Sequence, residues 1–237
     1  LLHDRGWAEK NAGNFSIRIK SELVTNNYDQ IPLSTPYPKL SNMEFVVTGK
    51  GKRMRDIAKS PDNNTVVLCI NSKGDAYTIL TDDFVVPTSE LLTHLAIHNM
   101  IAQRGSNELA VIHSHVTELI ALTHISTYCE QNKINKLLWQ MHPETIMFIP
   151  AGIGFVPFAL PGSSEIALAT IEALKNHQIA LWEKHGVFSI SSTLHDCYDL
   201  LDIVSKSARI FFMCAQTGVL PQGITDDQLD ELKKIKF

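Results

Sequence analysis

Two histidines, His113 and His115, stand one residue apart at the end of the apolar run "ELAVIHSH". Successive side chains of a strand point to opposite faces, so residues two apart look the same way. An H-x-H pair on a strand can therefore offer two nitrogen donors to one ion. A zinc ion that does chemistry keeps three protein ligands and an open position. Among ten histidines, the best third donor is His185 in "WEKHGVF", which ends a hydrophobic run. Gly186 follows it and would let other backbone or a ligand approach closely. A rival set also exists. Glu90, His94 and His98 follow E-x3-H-x3-H, which puts all three on one face of a helix. By spacing alone, either set can hold an ion, and the histidines can equally be ordinary strand and helix residues.

Three further stretches suit an anion. "NAGN" (11–14) and "TGKGK" (48–52) place glycines at strand ends, and the second adds Lys50 and Lys52. Turns of this kind expose backbone N–H groups to a negative group. "PTSE" (87–90) offers the hydroxyls of Thr88 and Ser89 and the first N–H groups of a helix. None of them is a nucleotide phosphate loop, because G-x-x-x-x-G-K-[ST] is not satisfied. Singly, each reads as a turn or a cap. Together they point to a phosphorylated ligand beside a metal.

The elements that must position these residues alternate between strand and helix. "NFSIRI" (14–19), "EFVVTG" (44–49) and "TVVLCI" (65–70) read as strands, and "KGDAYTIL" (73–80) as a turn followed by a strand. The segment after Pro87 reads as a helix capped by Thr88 or Ser89, with Glu90 in its first turn and Gly105 as its stop. "ELAVIHSH" (108–115), "TIMFIP" (145–150) and "IALWEKHGVFSI" (179–190) read as strands. "TELIALTHI" (117–125), "PGSSEIALATIEALKNH" (161–177) and residues 192–218 read as helices, and Thr225 with Gln228 forms a capping box. The opening "LLHDRGW" reads as the tail of a helix. Short steps between strands predict antiparallel neighbours. The expectation is an α/β single domain over 1–237, with a mostly antiparallel or mixed sheet flanked by helices.

Composition narrows the function classes. The 237 residues carry a net charge of −4 with no basic block, which disfavours nucleic acid as a partner. No apolar run approaches the roughly 18 residues of a membrane span. The four cysteines, Cys69, Cys129, Cys197 and Cys214, show no C-x-x-C pairing, so neither a disulfide framework nor a thiolate zinc site is expected. Reduced thiols fit a cytoplasmic protein.

In this order, "KNAGNFSIRI", "VTGKGK", "VPTSELLTH", "VIHSHVTELIALT", "PGSSEIALAT" and "LWEKHGVF" resemble the class II sugar-phosphate aldolases of the aldolase/adducin superfamily. The segment "QIPLSTPYPKL" and the phrases "VPTSEL" and "LW" before "KHGVF" look closest to its rhamnulose-phosphate branch. The resemblance implies a zinc-dependent lyase that cleaves L-rhamnulose 1-phosphate into dihydroxyacetone phosphate and L-lactaldehyde through an enediolate. It implies one Zn²⁺ on His113, His115 and His185, with Glu90 as catalytic carboxylate. Glu144, five residues after Trp139, matches a second active-site glutamate once one residue is inserted. Asn11, Asn14, Gly49, Thr88 and Ser89 would line the phosphate and substrate pocket. Family members often carry serine where this chain has Lys50. The resemblance also implies a homotetramer with sites at subunit interfaces. A fuculose-phosphate aldolase or a pentulose-phosphate 4-epimerase of the same superfamily, and a non-catalytic adducin-like protein, are the competing expectations.

Overall fold

The computed structural model describes residues 1–20, 29–81 and 85–235. The expected β-branched runs form β1 (Asn14–Ile19), β3 (Glu44–Thr48), β4 (Thr65–Ile70) and β5 (Ala76–Ile79), with a two-residue strand β2 (Ile31–Pro32) beside β5. The short helix α1 (Met54–Ile57) follows β3. The helix after Pro87 is α2 (Leu91–Arg104), stopped by Gly105 in the left-handed conformation at φ 67°. Then come β6 (Ala110–Ser114), α3 (Thr117–Leu122), α4 (Gln131–Met141), α5 (Pro143–Phe148), β7 (Gly154–Val156) and α6 (Ser164–Leu174). The chain continues through β8 (Ile179–Trp182), β9 (Gly186–Ser191), α7 (Leu194–Ala215) and α8 (Asp226–Leu232). Ser163 caps α6, and the Thr225–Gln228 capping box opens α8 as expected. "LLHDRGW" forms hydrogen-bonded turns, with Arg5 N–H donating to Leu1 O at 3.1 Å.

Among the described residues, the nine strands join one sheet in the order β2-β5-β4-β3-β1-β6-β9-β8-β7. Every pair is antiparallel except β7 with β8, which α6 links as a parallel crossover. Alternate residues send apolar side chains to both faces. Phe15, Ala110 and Ile112 meet α3, α4 and α7 on one face, where Cys197, Leu201, Val204, Ala208 and Phe211 form the buried stripe of α7. Val111, Phe188 and Ile190 meet α2 and α6 on the other.

Two expected strands are corrected. "TIMF" is helical: Pro143 supplies a preset first-turn φ, and Thr145 is buried against α7, its Oγ1 2.7 Å from Ser207 Oγ. Tertiary packing here overrides the β preference of Thr and Ile. Residues 179–190 are two strands, because the chain reverses after Trp182 and Trp182 pairs with Gly186. Helix α4 had no reading in the sequence.

Candidate active site

The middle of the sheet brings the candidate residues together. Asn14 on β1 lies opposite His113 on β6, and His113 lies opposite Phe188 on β9. His115, one residue past β6, keeps to the same side, with ring centroids 5.4 Å apart. His185 comes from the β8–β9 turn, 5.3 Å from the His113 ring and 5.2 Å from that of His115. One ligand atom from each lies within 4.8 Å of the others. The turn is held by Lys184, at φ 60° with its N–H donating to Thr123 Oγ1 at 2.8 Å.

Gly186 allows the close approach its position suggested. A Cβ there would meet Ser114 O at 2.7 Å, His115 Cδ2 at 3.0 Å and His113 Cε1 at 3.2 Å. Gly186→Ala is therefore expected to force the imidazoles apart and cost about 1–3 kcal/mol. Denaturant unfolding and divalent-cation titration read both effects. Wild-type values in the two measurements would contradict the crowding.

The donor set fits a divalent cation. His113 Nδ1 lies 3.0 Å from Val187 O, and a carbonyl only accepts, so the hydrogen sits on Nδ1. That leaves Nε2 with a lone pair, buried and without a hydrogen-bond partner; His185 Nδ1 is likewise buried and without a hydrogen-bond partner. His115 Nδ1 lies 2.7 Å from Glu9 Oε1. A carboxylate behind an imidazole is the arrangement that orients metal-binding histidines. Glu9 escaped the sequence reading, which has no spacing rule for a partner so distant. Burial pushes His113 down to about 4, opposed by nearby Glu90. Burial, aided by His115, lowers His185 as well. Both rings are neutral at neutral pH, as ligands must be.

Glu90 stands at the N-cap position of α2 rather than inside its first turn, and neither Thr88 nor Ser89 caps the helix. Thr88 Oγ1 accepts instead from Glu90 N–H at 3.4 Å. Glu90 Oε2 lies 3.9 Å from His113 Nε2 and accepts from Asn14 Nδ2 at 3.0 Å. Burial pushes this carboxyl up, but the pull of His113 when it is protonated, the Asn14 amide, and the weaker pull of protonated His94 and His185 outweigh it, so its pKa is lowered. It is ionised at neutral pH and able to accept a proton.

Beside these groups opens a cleft of about 200 Å³, lined by Asn11, Asn14, Gly49, Thr88, Ser89, Glu90 and the three histidines. Gly49 pairs with Pro87, and Thr88 N–H donates to Thr48 O at 2.9 Å, which ties "TGKGK" to "PTSE". A side chain at Gly49 would meet Val85 Cγ1 at 2.5 Å. Lys52 lines the cleft, whereas Lys50 is exposed and absent from its wall.

Residues 1–212 match the family profile of the class II aldolase and adducin N-terminal domain. The chain belongs to the class II aldolase and adducin family. It is 37% identical over 238 residues to a rhamnulose-1-phosphate aldolase of Bacteroides thetaiotaomicron, covering 98% of this chain and 88% of that one. The same enzyme of Klebsiella pneumoniae is 36% identical over 241 residues, with 97% and 87% covered. Among solved structures, a sugar-phosphate aldolase from Thermotoga maritima superposes with a TM-score of 0.80 at 30% identity, covering 94% and 93%. Membership together with these relatives makes the chain a metal-dependent aldehyde-lyase, and no helix among its described residues is long and apolar enough to cross a membrane.

Two expectations about this class II aldolase change. The rival metal face is spoken for, since His94 Nε2 lies 2.5 Å from Asn14 Oδ1 and His94 Nδ1 lies 2.7 Å from Ser16 Oγ. His94 and His98 are both buried. Glu144, in the first turn of α5, does not line the cleft; its Oε2 lies 2.9 Å from His142 Nε2.

Burial lowers His94 to about 4 and His98 to about 3. The unfolded chain takes up those protons near pH 6.5, so between there and about pH 4 it binds protons that the fold excludes. Stability is therefore expected to fall with falling pH, by about 1.4 kcal/mol per pH unit for each histidine. Denaturant titrations of metal-free protein across that window test this; a flat profile would refute neutral burial.

Proposed function

We propose that this class II aldolase is zinc-dependent and cleaves L-rhamnulose 1-phosphate into dihydroxyacetone phosphate and L-lactaldehyde. The observation that carries the reading is the meeting of His113, His115 and His185 with the ionised Glu90 at the wall of a polar cleft. Relatives at 36–37% identity that are rhamnulose-1-phosphate aldolases support the choice of sugar.

His113, His115 and His185 hold the ion, and three imidazole nitrogen donors suit zinc. When bound, the ion supplies Lewis-acid compensation for the charge that develops on the ketone half as the carbon–carbon bond breaks. As that bond breaks, a hydroxyl proton leaves the half that becomes the aldehyde, and a proton must reach the carbon that loses its partner. The ionised Glu90 takes up the first and hands it to that carbon; in the reverse direction it takes a proton from that carbon and returns it to the new hydroxyl. Asn14 holds the carboxylate for that task. Asn11, Gly49, Thr88 and Ser89, with Lys52, bind the phosphate, a remote handle whose binding energy positions the reacting carbons.

The enzyme works as a homotetramer in the cytoplasm. Four unpaired cysteines are consistent with that compartment. Glu144 can act on the aldehyde half only where a neighbouring copy brings its α5 to the cleft.

A coupled assay with rhamnulose, fuculose and ribulose phosphates, with and without chelator, tests the reading. The expected result is chelator-sensitive release of dihydroxyacetone phosphate, fastest from rhamnulose 1-phosphate. Formation of an epimer without free aldehyde, or turnover that survives chelation, would sink it.

A further inference from the structure

β1 turns Asn14 and Ser16 toward α2, where His94 and His98 lie one helical turn apart, and all four side chains are buried. Their contacts form a single line that ends at the site. Asn14 Nδ2 is 3.0 Å from Glu90 Oε2, and Asn14 Oδ1 is 2.5 Å from His94 Nε2. Ser16 Oγ then lies 2.7 Å from His94 Nδ1 and 2.8 Å from His98 Nε2.

The polarity of this line is forced from one end. An ionised carboxylate only accepts, so Asn14 gives its amide nitrogen to Glu90 and its oxygen to His94. His94 must then donate from Nε2. Its ring is neutral, so Nδ1 accepts, and the single hydroxyl hydrogen of Ser16 goes there. Ser16 is left with lone pairs only, and His98 must donate from Nε2. Each link has one donor and one acceptor.

An apolar helix packing on an apolar sheet has no need of two histidines and a serine, and leaving any one of them unmatched costs about 1–3 kcal/mol. The line does, however, decide which way the Asn14 amide faces. A flipped amide would turn its oxygen on the Glu90 carboxylate and push it away. None of Ser16, His94 and His98 lines the cleft.

We propose that His94, held in its Nε2–H form by Ser16 and His98, is a positioning residue that fixes the Asn14 amide and through it the Glu90 carboxylate. The proposal rests on the role given to Glu90 above, and extends it to side chains outside the cleft.

Nitrogen NMR of histidine-labelled protein at neutral pH should show His94 and His98 as Nε2–H tautomers. His94→Leu should lower kcat about 10- to 100-fold, the range for partners that orient a site group. Bound metal should be unchanged and KM within about threefold, because the lost interaction acts in the transition state. His94→Gln, whose amide restores an N–H toward Asn14, should recover most of kcat. A merely structural role would lower the thermal midpoint of both variants and leave their kcat values alike. Equal kcat in the two variants, or an Nδ1–H tautomer at His94, would overturn the proposal. Normal turnover in Glu90→Gln would instead sink the role of Glu90, while leaving the tautomers as they are.

Discussion

Glu90→Gln is expected to reduce kcat by about two to four powers of ten, the contribution of a positioned acid–base group. The substitution keeps size and shape, so the α2 N-terminus and the cleft should persist. It removes only the charge and the capacity to carry a proton. The proposed metal ligands are untouched, so metal content should stay stoichiometric. The existing geometry makes the carboxylate the natural proton carrier: it is ionised, held by Asn14 at 3.0 Å, and placed 3.9 Å from His113 Nε2. Steady-state kinetics with metal analysis on the same sample is the measurement. Near-normal turnover with full metal occupancy would remove Glu90 from the mechanism.

His185→Ala should be severe for the metal and mild on the fold. The imidazole sits in a turn, half-buried, so its loss leaves little core unfilled. Yet it is one of three proposed nitrogen donors, and the other two, His113 and His115, sit on one strand end and cannot close the site. Metal should be lost on dialysis, and turnover should fall by at least about three powers of ten, since Lewis-acid stabilisation is worth several kcal/mol. The thermal midpoint of the metal-free variant should match that of metal-free parent protein. Stoichiometric metal in purified His185→Ala would place the centre elsewhere.

The pairing of His113 and His115 was legible because strand alternation is local physics. The position of His185 in a turn was not. "WEKHGVF" has no Asn or Gly at the residue that adopts φ 60°; Lys184 does so, held by a bond to Thr123 Oγ1 that depends on the tertiary fold. The alternation of "NFSIRI" was equally visible but half understood. Its polar residues Asn14 and Ser16 look like a solvent face, yet α2 covers them. Glu9 and Glu144 mark the limit of spacing rules. Glu9 meets His115 across 106 residues, and Glu144 proved to be helical where Thr145 and Ile146 suggested a strand.

β1, β6 and β9 lie side by side in the interior of the sheet order, while β2 and β7 are short strands at its two edges. Edges and their loops open in small fluctuations, whereas the amides of the inner strands exchange with solvent only when the whole molecule unfolds. Native-state hydrogen exchange should then assign the amides of Asn14–Ser16, Val111–His113 and Val187–Ser189 the full unfolding free energy. Asn14 and His113 are then held by the part of the fold that opens last, whereas His185 sits in the β8–β9 turn and Thr88 and Ser89 precede α2, so opening of those loops should disable the site before the sheet unfolds.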